Sequence, residues 1–249
     1  MKNMESLRAR KKNITLVLNR PKHAGNIGSV ARCAKNMGFG DIVVVTREEP
    51  DMEKIRQMST HLALDVVERI RFVDSLDEAL GGFHFIAGTT ARTGSMRQPS
   101  GNPREVARTL VDVSQKNKVA ILFGPEDIGL TNNELRRCQA LITIPTSEKL
   151  RSLNLSHAAL IVCYEIFLAS TAVPDRFKPC LATSVELEGM YTQIKDLFVR
   201  IGFINPQNPE YWMLNVRRFF SRMDLRSRDV KMIRGLCRQV DWYVKDKKA

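Results

Sequence analysis

The chain has 249 residues, of which 43% are hydrophobic and 27% are charged. These proportions support a buried core and exclude a chain that is disordered throughout. The 39 Lys and Arg residues outnumber the 27 Asp and Glu residues, which gives a formal net charge of +12. Such an excess favours a polyanionic partner, either a nucleic acid or an anionic membrane surface.

Short apolar runs of strand length alternate with helical segments through the first two-thirds of the chain. The runs lack an inside–outside alternation, which is typical of strands that are covered on both faces. They are Ile14–Leu18, Ile42–Val45, Phe83–Ala87, Val119–Phe123 and Leu141–Ile144. Strands that alternate with helices predict an α/β fold with a mainly parallel sheet and flanking helices.

Several of the helices have recognisable starts. Asn102 followed by Pro103 is typical of an N-cap and first helical residue, and it predicts a helix near Pro103–Val113. Two further pairs have the spacing of a capping box. They are Ser75 with Glu78, and Thr131 with Glu134.

The pattern changes in the last third of the chain. Residues 171–183 carry two prolines and no clear period, which predicts a linker between a catalytic domain at 1–170 and a module at 184–249. The module holds 13 Lys and Arg residues against 8 Asp and Glu residues and no strand pattern. It is expected to be a small all-helical unit with helices over 187–201, 211–221 and 227–244.

The basic residues of the module are expected to contact RNA phosphates. They are Arg217, Arg218, Arg222, Arg226, Arg228, Lys231, Arg234 and Arg238. Four aromatic residues interleave with them, and core packing is the favoured interpretation of these over base stacking. These are Trp212, Phe219, Phe220 and Trp242.

Cysteine and histidine usage gives no sign of a metal site or a disulfide framework. The five cysteines form no CxxC pair, and the four histidines show no ligand spacing. The longest apolar run, Leu153 to Ser170, includes polar residues such as His157 and Glu165, so it predicts a buried helix and not a membrane span. A cytoplasmic protein with no membrane partner is expected.

The first stretch that could carry chemistry is Asn19–Phe39, where a strand, a glycine-containing loop and a helix are predicted. Gly25 and Gly28 are expected to allow a tight turn, and the helix N-terminus offers free N–H groups to an anion. The spacing is not GxGxxG, and no acidic residue ends the following strand. This disfavours an ordinary dinucleotide site and a Rossmann oxidoreductase.

Arg32 lies on the predicted helix of this stretch, at about 140° from the apolar residue Ile27 on a helical wheel. It is therefore expected to point away from the core. Two interpretations stay open: an ordinary solvated arginine, or a guanidinium held over a phosphate or a developing oxyanion.

Two later stretches place polar residues beside predicted strand ends. Glu126 follows a buried strand in a Gly-Pro-Glu turn, where it is either a site residue or a helix cap or salt-bridge partner. Ser152 and Asn154 surround the start of an apolar helix, which either residue could cap. No single stretch decides the function.

Taken together and in this order, the three stretches resemble the SPOUT class of RNA methyltransferases, in the branch that methylates ribose 2′-hydroxyls. The matching segments are HAGNIGSVAR (His23–Arg32), FGPEDIGLTNNEL (Phe123–Leu135), ITIP (Ile142–Pro145) and SLNLS (Ser152–Ser156). The tail from Tyr191 through Val240 resembles the C-terminal helices of the TrmJ subfamily.

The resemblance implies a catalytic domain with a C-terminal trefoil knot, an obligate homodimer and S-adenosyl-L-methionine as cofactor. Arg32 is implied to be the principal catalytic residue, and Asn26, Glu126, Ser152 and Asn154 match other recurrent site positions. The implied cofactor contacts are Thr89, Thr90, Ala91, Gly124, Ile144, Arg151, Ser152 and Leu153.

The resemblance also implies a substrate. The TrmJ-like tail favours the 2′-hydroxyl of cytidine or uridine at nucleotide 32 of tRNA, so the tRNA anticodon stem-loop is the expected partner. Two alternatives stay open, because the motifs do not encode the target. One is a ribosomal RNA 2′-O-methyltransferase of the same fold, and the other is a SPOUT-like dimer that binds RNA without methylating it.

Overall fold

A computed structural model describes residues 11–92, 100–172 and 180–246 of the chain. The chain divides into two compact units, Met1–Lys178 and Pro179–Ala249. Residues 173–179 of the predicted linker lie outside the described residues. Thr171 and Ala172 end a helix of the first unit, whereas Thr183 caps a helix of the second.

The first unit is built on a six-stranded sheet in which every pair of neighbouring strands is parallel. The strand order is β3-β2-β1-β5-β4-β6. The strands are β1 (Ile14–Asn19), β2 (Ile42–Val45), β3 (Arg71–Val73), β4 (Phe85–Thr89), β5 (Val119–Phe123) and β6 (Ala140–Ile142). The α/β prediction with a parallel sheet is confirmed, while the trefoil knot stays a prediction.

Helices connect the strands of this unit. They are α1 (Ala24–Asn36), α2 (Met52–Ser59), α3 (Leu64–Val67), α4 (Leu76–Leu80), α5 (Pro103–Ser114), α6 (Asn132–Leu135) and α7 (Leu155–Ala172). Helix α7 packs against both α1 and α5. A separate core cluster packs strand residues such as Val17 and Leu122 against Ala79 and Leu80 of α4. Strands β2 and β5 are buried along their whole length, as their uniformly apolar sequences predict.

The predicted helix starts are confirmed at atomic detail. The Asn102 side chain accepts a hydrogen bond from the Glu105 backbone N–H, and the Glu105 carboxylate accepts one from the Asn102 N–H. Thr131 and Glu134 form the same reciprocal pair, and the Ser75 hydroxyl accepts from the Glu78 N–H at 3.2 Å. Each such cap satisfies backbone donors that the first helical turn leaves free.

The predicted turn at Gly25 and Gly28 is wrong, because α1 has already begun at Ala24. Gly28 is instead the point where α1 meets the backbone of α2. A Cβ atom at this position would lie 3.0 Å from the carbonyl carbon of Ile55 and would overlap its oxygen. Close backbone packing of two helices, and not a loop conformation, therefore requires a glycine here.

The sequence also missed one strand and misplaced two. Strand β3 is three residues long and begins with the exposed Arg71, so it carries no apolar run. Strand β4 begins two residues later than predicted and extends to Thr89, and β6 ends at Ile142. Pairing with a neighbouring strand, and not local propensity, sets these boundaries.

The second unit is helical in its described residues, as predicted. It consists of α8 (Ser184–Arg200), α9 (Pro209–Phe220) and α10 (Ser227–Asp246). Thr183 and Glu186 form a capping box at the start of α8, and Gly202 follows its end with a φ of +74°. The core of the unit is apolar and includes Met190, Ile194, Ile204 and Met213.

The burial of the cysteines predicts which thiols react. Burial raises the pKa of the Cys138 thiol to about 12 and raises that of Cys163 further, whereas Cys180 is exposed. Because only the thiolate attacks an alkylating reagent, iodoacetamide at neutral pH should label Cys180 and spare Cys138 and Cys163 until the protein unfolds. Mass spectrometry of the labelled peptides measures this, with Cys180→Ser as the control that removes the fast reaction. Labelling of Cys163 as fast as Cys180 in the folded protein would contradict the packing of α7.

Candidate active site

The candidate site lies where the carboxyl ends of β1, β4, β5 and β6 meet. In this sheet the chain runs outward from β1 through β2 to β3, crosses to the other side of β1 as β4, and then returns as β5 to the position between β4 and β1. The boundary between the paired strands β1 and β5 is therefore the point where the connections leave in opposite directions, and ligands of open α/β sheets bind outside such points. The loop after β1 and the loop after β5 flank it.

A cleft that is partly open to solvent lies at this edge of the sheet. All eight residues predicted as cofactor contacts line it, although they come from three separate parts of the chain. These are Thr89, Thr90, Ala91, Gly124, Ile144, Arg151, Ser152 and Leu153. Glu126 lines the same cleft, so the structure brings two of the five predicted catalytic residues, Glu126 and Ser152, into contact with this space.

The Glu126 carboxylate connects the cleft to the loop after β1. Its Oε2 accepts a hydrogen bond of 2.8 Å from the backbone N–H of Lys22, and its Oε1 accepts one of 2.7 Å from Nδ2 of Asn26. Hydrogen bonds to a charged acceptor are about twice as strong as neutral ones. Glu126 is thus neither a helix cap nor a side-chain salt-bridge partner among the described residues.

Asn26 and Asn154 extend this network to the start of α7. Asn154 donates from Nδ2 to Oδ1 of Asn26 at 3.1 Å, while its own Oδ1 accepts from the backbone N–H of Ser156 at 2.8 Å. Asn154 therefore caps α7 and also contacts the first turn of α1, while its role as a site residue stays a prediction. Ser152 has a different role, since it is exposed and lines the cleft.

Arg32 does not line this cleft. It is exposed on α1, six residues beyond Asn26, and therefore about 9 Å further along the helix axis. Its predicted outward direction is confirmed, and no carboxylate of the described residues forms an ion pair with it. The structure separates the predicted principal catalytic residue from the residues that surround the cleft.

Sequence reasoning missed several residues of the cleft wall. Arg92 lines the cleft and donates from its guanidinium to the backbone carbonyl of Ile128, so it ties the segment after β4 to the loop after β5. Asp127 also lines it and forms an ion pair with Lys22, which lowers the pKa of the Asp127 carboxyl. Arg92 ends the same Gly88–Arg92 segment that supplied three of the predicted contacts, so this signal was available.

Gly124 allows the loop after β5 to fold back on itself. A Cβ atom here would lie 2.5 Å from the carbonyl carbon of Gly129 and closer still to the backbone nitrogen of Leu130. Gly129 itself has a φ of +61° and donates its N–H to the Pro125 carbonyl at 2.8 Å. The compact turn that results forms one wall of the cleft.

Among the described residues, no group of three or more His, Cys, Asp or Glu side chains is arranged to hold a metal ion. In the same part of the chain, no helix is long and apolar enough to cross a membrane.

Comparison with known proteins identifies the class. The model of the SpoU rRNA methylase family matches residues 13–164, so the chain belongs to that family. This confirms the resemblance to the SPOUT class.

The particular relatives are TrmJ proteins. The model of the C-terminal domain of the tRNA methyltransferase TrmJ matches residues 185–249. The chain is 35% identical over 237 residues to the tRNA (cytidine/uridine/adenosine-2′-O-)-methyltransferase TrmJ of Pseudomonas aeruginosa strain UCBPP-PA14, covering 90% of this chain and 91% of the relative. It is 33% identical to the tRNA (cytidine/uridine-2′-O-)-methyltransferase TrmJ of Klebsiella pneumoniae, covering 94% and 99%. The crystal structure of TrmJ from Z. mobilis ZM4 superimposes with a TM-score of 0.76 at 25% identity, over 91% of this chain and 98% of that one.

The Gly124 turn gives a direct test of the cleft wall. Gly124→Ala should lower the free energy of unfolding by about 1–3 kcal/mol, because the added methyl group meets backbone atoms that cannot move aside. Gly82→Ala is the matched control, since nothing lies within 4 Å of a Cβ atom at that position. Urea unfolding followed by circular dichroism measures both. Equal stability of the two variants would show that the loop after β5 is not packed as described.

Proposed function

We propose that this chain transfers a methyl group from S-adenosyl-L-methionine to a ribose 2′-hydroxyl of tRNA, at cytidine or uridine 32 of the anticodon loop. One observation carries the proposal. The residues that the family motifs mark as cofactor contacts, far apart in sequence, line one cleft beside the carboxyl ends of β4, β5 and β6. Membership of the SpoU family and the similarity to TrmJ proteins supply the class of reaction and of substrate.

The chemistry of the cleft fits S-adenosyl-L-methionine. Apolar side chains of Leu130, Ile142, Ile144 and Leu155 offer a surface for an adenine ring, and Thr89 and Thr90 add hydroxyl groups. The cofactor would supply an electrophilic sulfonium methyl group. The cleft residues would orient it and exclude water, and alignment of two reactants alone contributes up to roughly 7–11 kcal/mol.

The polar network would position the groups around the cleft. Glu126 accepts hydrogen bonds from Lys22 in the loop after β1 and from Asn26 on α1. Asn154 accepts one from Ser156 of α7 and donates one to Asn26, so hydrogen bonds join these segments. We assign Glu126, Asn26 and Asn154 to holding this arrangement, and the exposed Ser152 to contacting a bound reactant. A fixed arrangement lowers the reorganisation that the transition state requires.

We assign Arg32 to the substrate. A guanidinium stays protonated in proteins, so it is a poor general base but a good partner for a phosphate and for a developing alkoxide. The 2′-hydroxyl proton would leave to a phosphate oxygen or to water. Because Arg32 does not line the cleft of its own chain, this role fits a homodimer in which α1 of one protomer serves the site of its partner.

An exposed apolar stripe on α7 supports the proposed homodimer. Tyr164 and Leu168 are 46% and 38% exposed, and Ile161 precedes them at helical spacing. A core-facing helix of a monomer usually presents polar residues on its outer face. Since α7 packs against α1, an interface on this stripe would lie in the same layer as Arg32.

We assign the second unit to RNA binding. Because the proposed substrate is tRNA, we place the protein in the cytoplasm. Not every basic residue is available for phosphates. Arg217 forms two hydrogen bonds of 2.7 and 2.6 Å with Glu188 and lies 4.3 Å above the Tyr191 ring, so it belongs to the internal packing of the unit. Arg226 and Arg228 are exposed at the start of α10 and are better candidates.

The reaction and the role of Arg32 can be tested together. The protein should methylate an unmodified tRNA transcript with labelled cofactor, and nucleoside mass spectrometry should locate the label at nucleotide 32. Arg32→Ala should slow single-turnover methylation by about 100-fold or more while calorimetry shows unchanged cofactor affinity. Arg108→Ala, an exposed arginine on α5, is the control. Label in ribosomal RNA alone would favour a ribosomal RNA 2′-O-methyltransferase. Cofactor binding without methyl transfer would favour a protein that binds RNA without methylating it. Full turnover of Arg32→Ala would refute its assignment.

The salt dependence of tRNA affinity tests the second unit. Arg226→Ala combined with Arg228→Ala should weaken binding and reduce the slope of log K against log salt by about 2, since each phosphate contact contributes about one unit. Glu210→Gln is a useful comparison because it alters charge on another helix of the same unit. An unchanged slope in the double variant would mean that these arginines do not contact RNA.

A further inference from the structure

Helix α9 exposes three aromatic side chains on one face. Tyr211, Trp212 and Phe219 are 58%, 44% and 56% exposed. The expectation that Trp212 and Phe219 pack in the core is therefore wrong, and Trp242 of α10 is also exposed, at 59%. Large rings that a folded unit leaves in water are unusual and mark contact surfaces.

The buried face of α9 already has its partners. Met213 lies in the core of the second unit, Val216 and Phe220 pack against it, and Arg217 forms its ion pair with Glu188. The exposed residues Trp212, Asn215 and Phe219 follow a different helical repeat, at spacings of three or four residues. The outer face therefore carries two aromatic rings with an amide between them, and the exposed Arg222 lies in the turn just after the helix.

The exposed rings are held in place by their neighbours. Trp212 contacts Phe203 and Tyr211, each with ring centroids 6.4 Å apart, and Phe219 packs edge-on against Phe220 at 5.3 Å. Because these contacts fix the rings, a ligand that stacks on them loses little side-chain entropy. The side chains therefore lose their conformational entropy on folding and not on binding.

We propose that this outer face of α9 stacks unpaired bases of the RNA substrate, with Arg222 contacting the adjoining phosphate. The inference rests on the proposed function for the nature of the ligand and names the surface that receives it. Aromatic rings interleaved with cations are the usual surface for single-stranded nucleic acid, since every base presents a π face. Trp212 and Phe219 are about 10 Å apart along the helix axis, so each takes one base of a splayed strand and not neighbouring bases of a continuous stack.

Charge favours RNA over a second copy of this chain. The 13 Lys and Arg residues of positions 184–249 exceed the 8 Asp and Glu residues, and Arg222, Arg226 and Arg228 are exposed beyond the end of the aromatic face. A two-fold interface on this face would bring like-charged arginines together. A polyanion meets the same groups with attraction.

Tryptophan fluorescence gives a direct readout of stacking at this position. The chain has two tryptophans, so full-length Trp242→Phe keeps Trp212 as its single indole. Addition of an unmodified tRNA transcript should quench the emission of Trp212 in proportion to binding, because a stacked base quenches an indole. Binding with unchanged emission overturns the proposal.

Affinity measurements give the second test. Trp212→Leu and Phe219→Leu keep an apolar side chain but remove the π face, and each should weaken binding of the tRNA transcript about fivefold or more. The matched control is Leu236→Ala on α10, since Leu236 is 62% exposed and has no ring. Its affinity should equal that of the unaltered chain, and all three variants should keep the unaltered melting temperature.

The outcomes separate this inference from the proposed function. Normal tRNA methylation by the unaltered chain, with undiminished affinity in both leucine variants, overturns the stacking surface alone. A change of sedimentation from dimer to monomer in these variants, with tRNA affinity retained, overturns it in favour of a protein interface. An unaltered chain that neither binds nor methylates tRNA overturns both.

Discussion

The candidate site depends on one carboxylate. Glu126 has no partner on its own loop for its two oxygens, and it accepts instead from the Lys22 N–H and the Asn26 amide. These bonds join the loop after β5 to the loop after β1 and to the first turn of α1, and Asn154 continues the connection to α7. Since the cleft walls are loops without regular hydrogen bonding of their own, such bonds between loops are what gives the cleft one shape.

The topology of the sheet explains why these residues meet. Positions 26, 126 and 154 are distant in sequence, yet parallel strands deliver their loops to one edge of the sheet. The connections after β1 and after β5 leave that edge in opposite directions, and the loops after β4, β5 and β6 line the cleft beside it. Glycine is required at the two tightest approaches: Gly28, where α1 meets α2, and Gly124, where the loop after β5 turns back.

The second unit shows that residue type alone does not assign a role. Arg217 lies on α9 and Arg222 lies in the turn that follows it, and both were expected to contact RNA phosphates. Arg217 is paired with Glu188 and covered by Tyr191, whereas Arg222 is exposed just beyond the aromatic face of α9. The aromatic residues divide in the same way, since Phe220 packs inward while Phe219 points out. The arrangement of α8, α9 and α10 makes this division, because it decides which face of each helix is covered.

Local patterns in the sequence were enough for the α/β class, the parallel sheet and the capped starts of α5 and α6, whereas the predicted residues of the cleft came from the resemblance of three motifs to a known family. The first three features depend on short-range backbone energetics, and the motifs depend on chemistry that tolerates few residue types. The tertiary structure alone decided the short strand β3, the helical setting of Gly28, the double role of Asn154, the distance of Arg32 from the cleft and the exposed face of α9. Each of these features depends on which distant segment packs against the residue in question. Such a contact produces no periodic pattern or motif in the sequence of either segment.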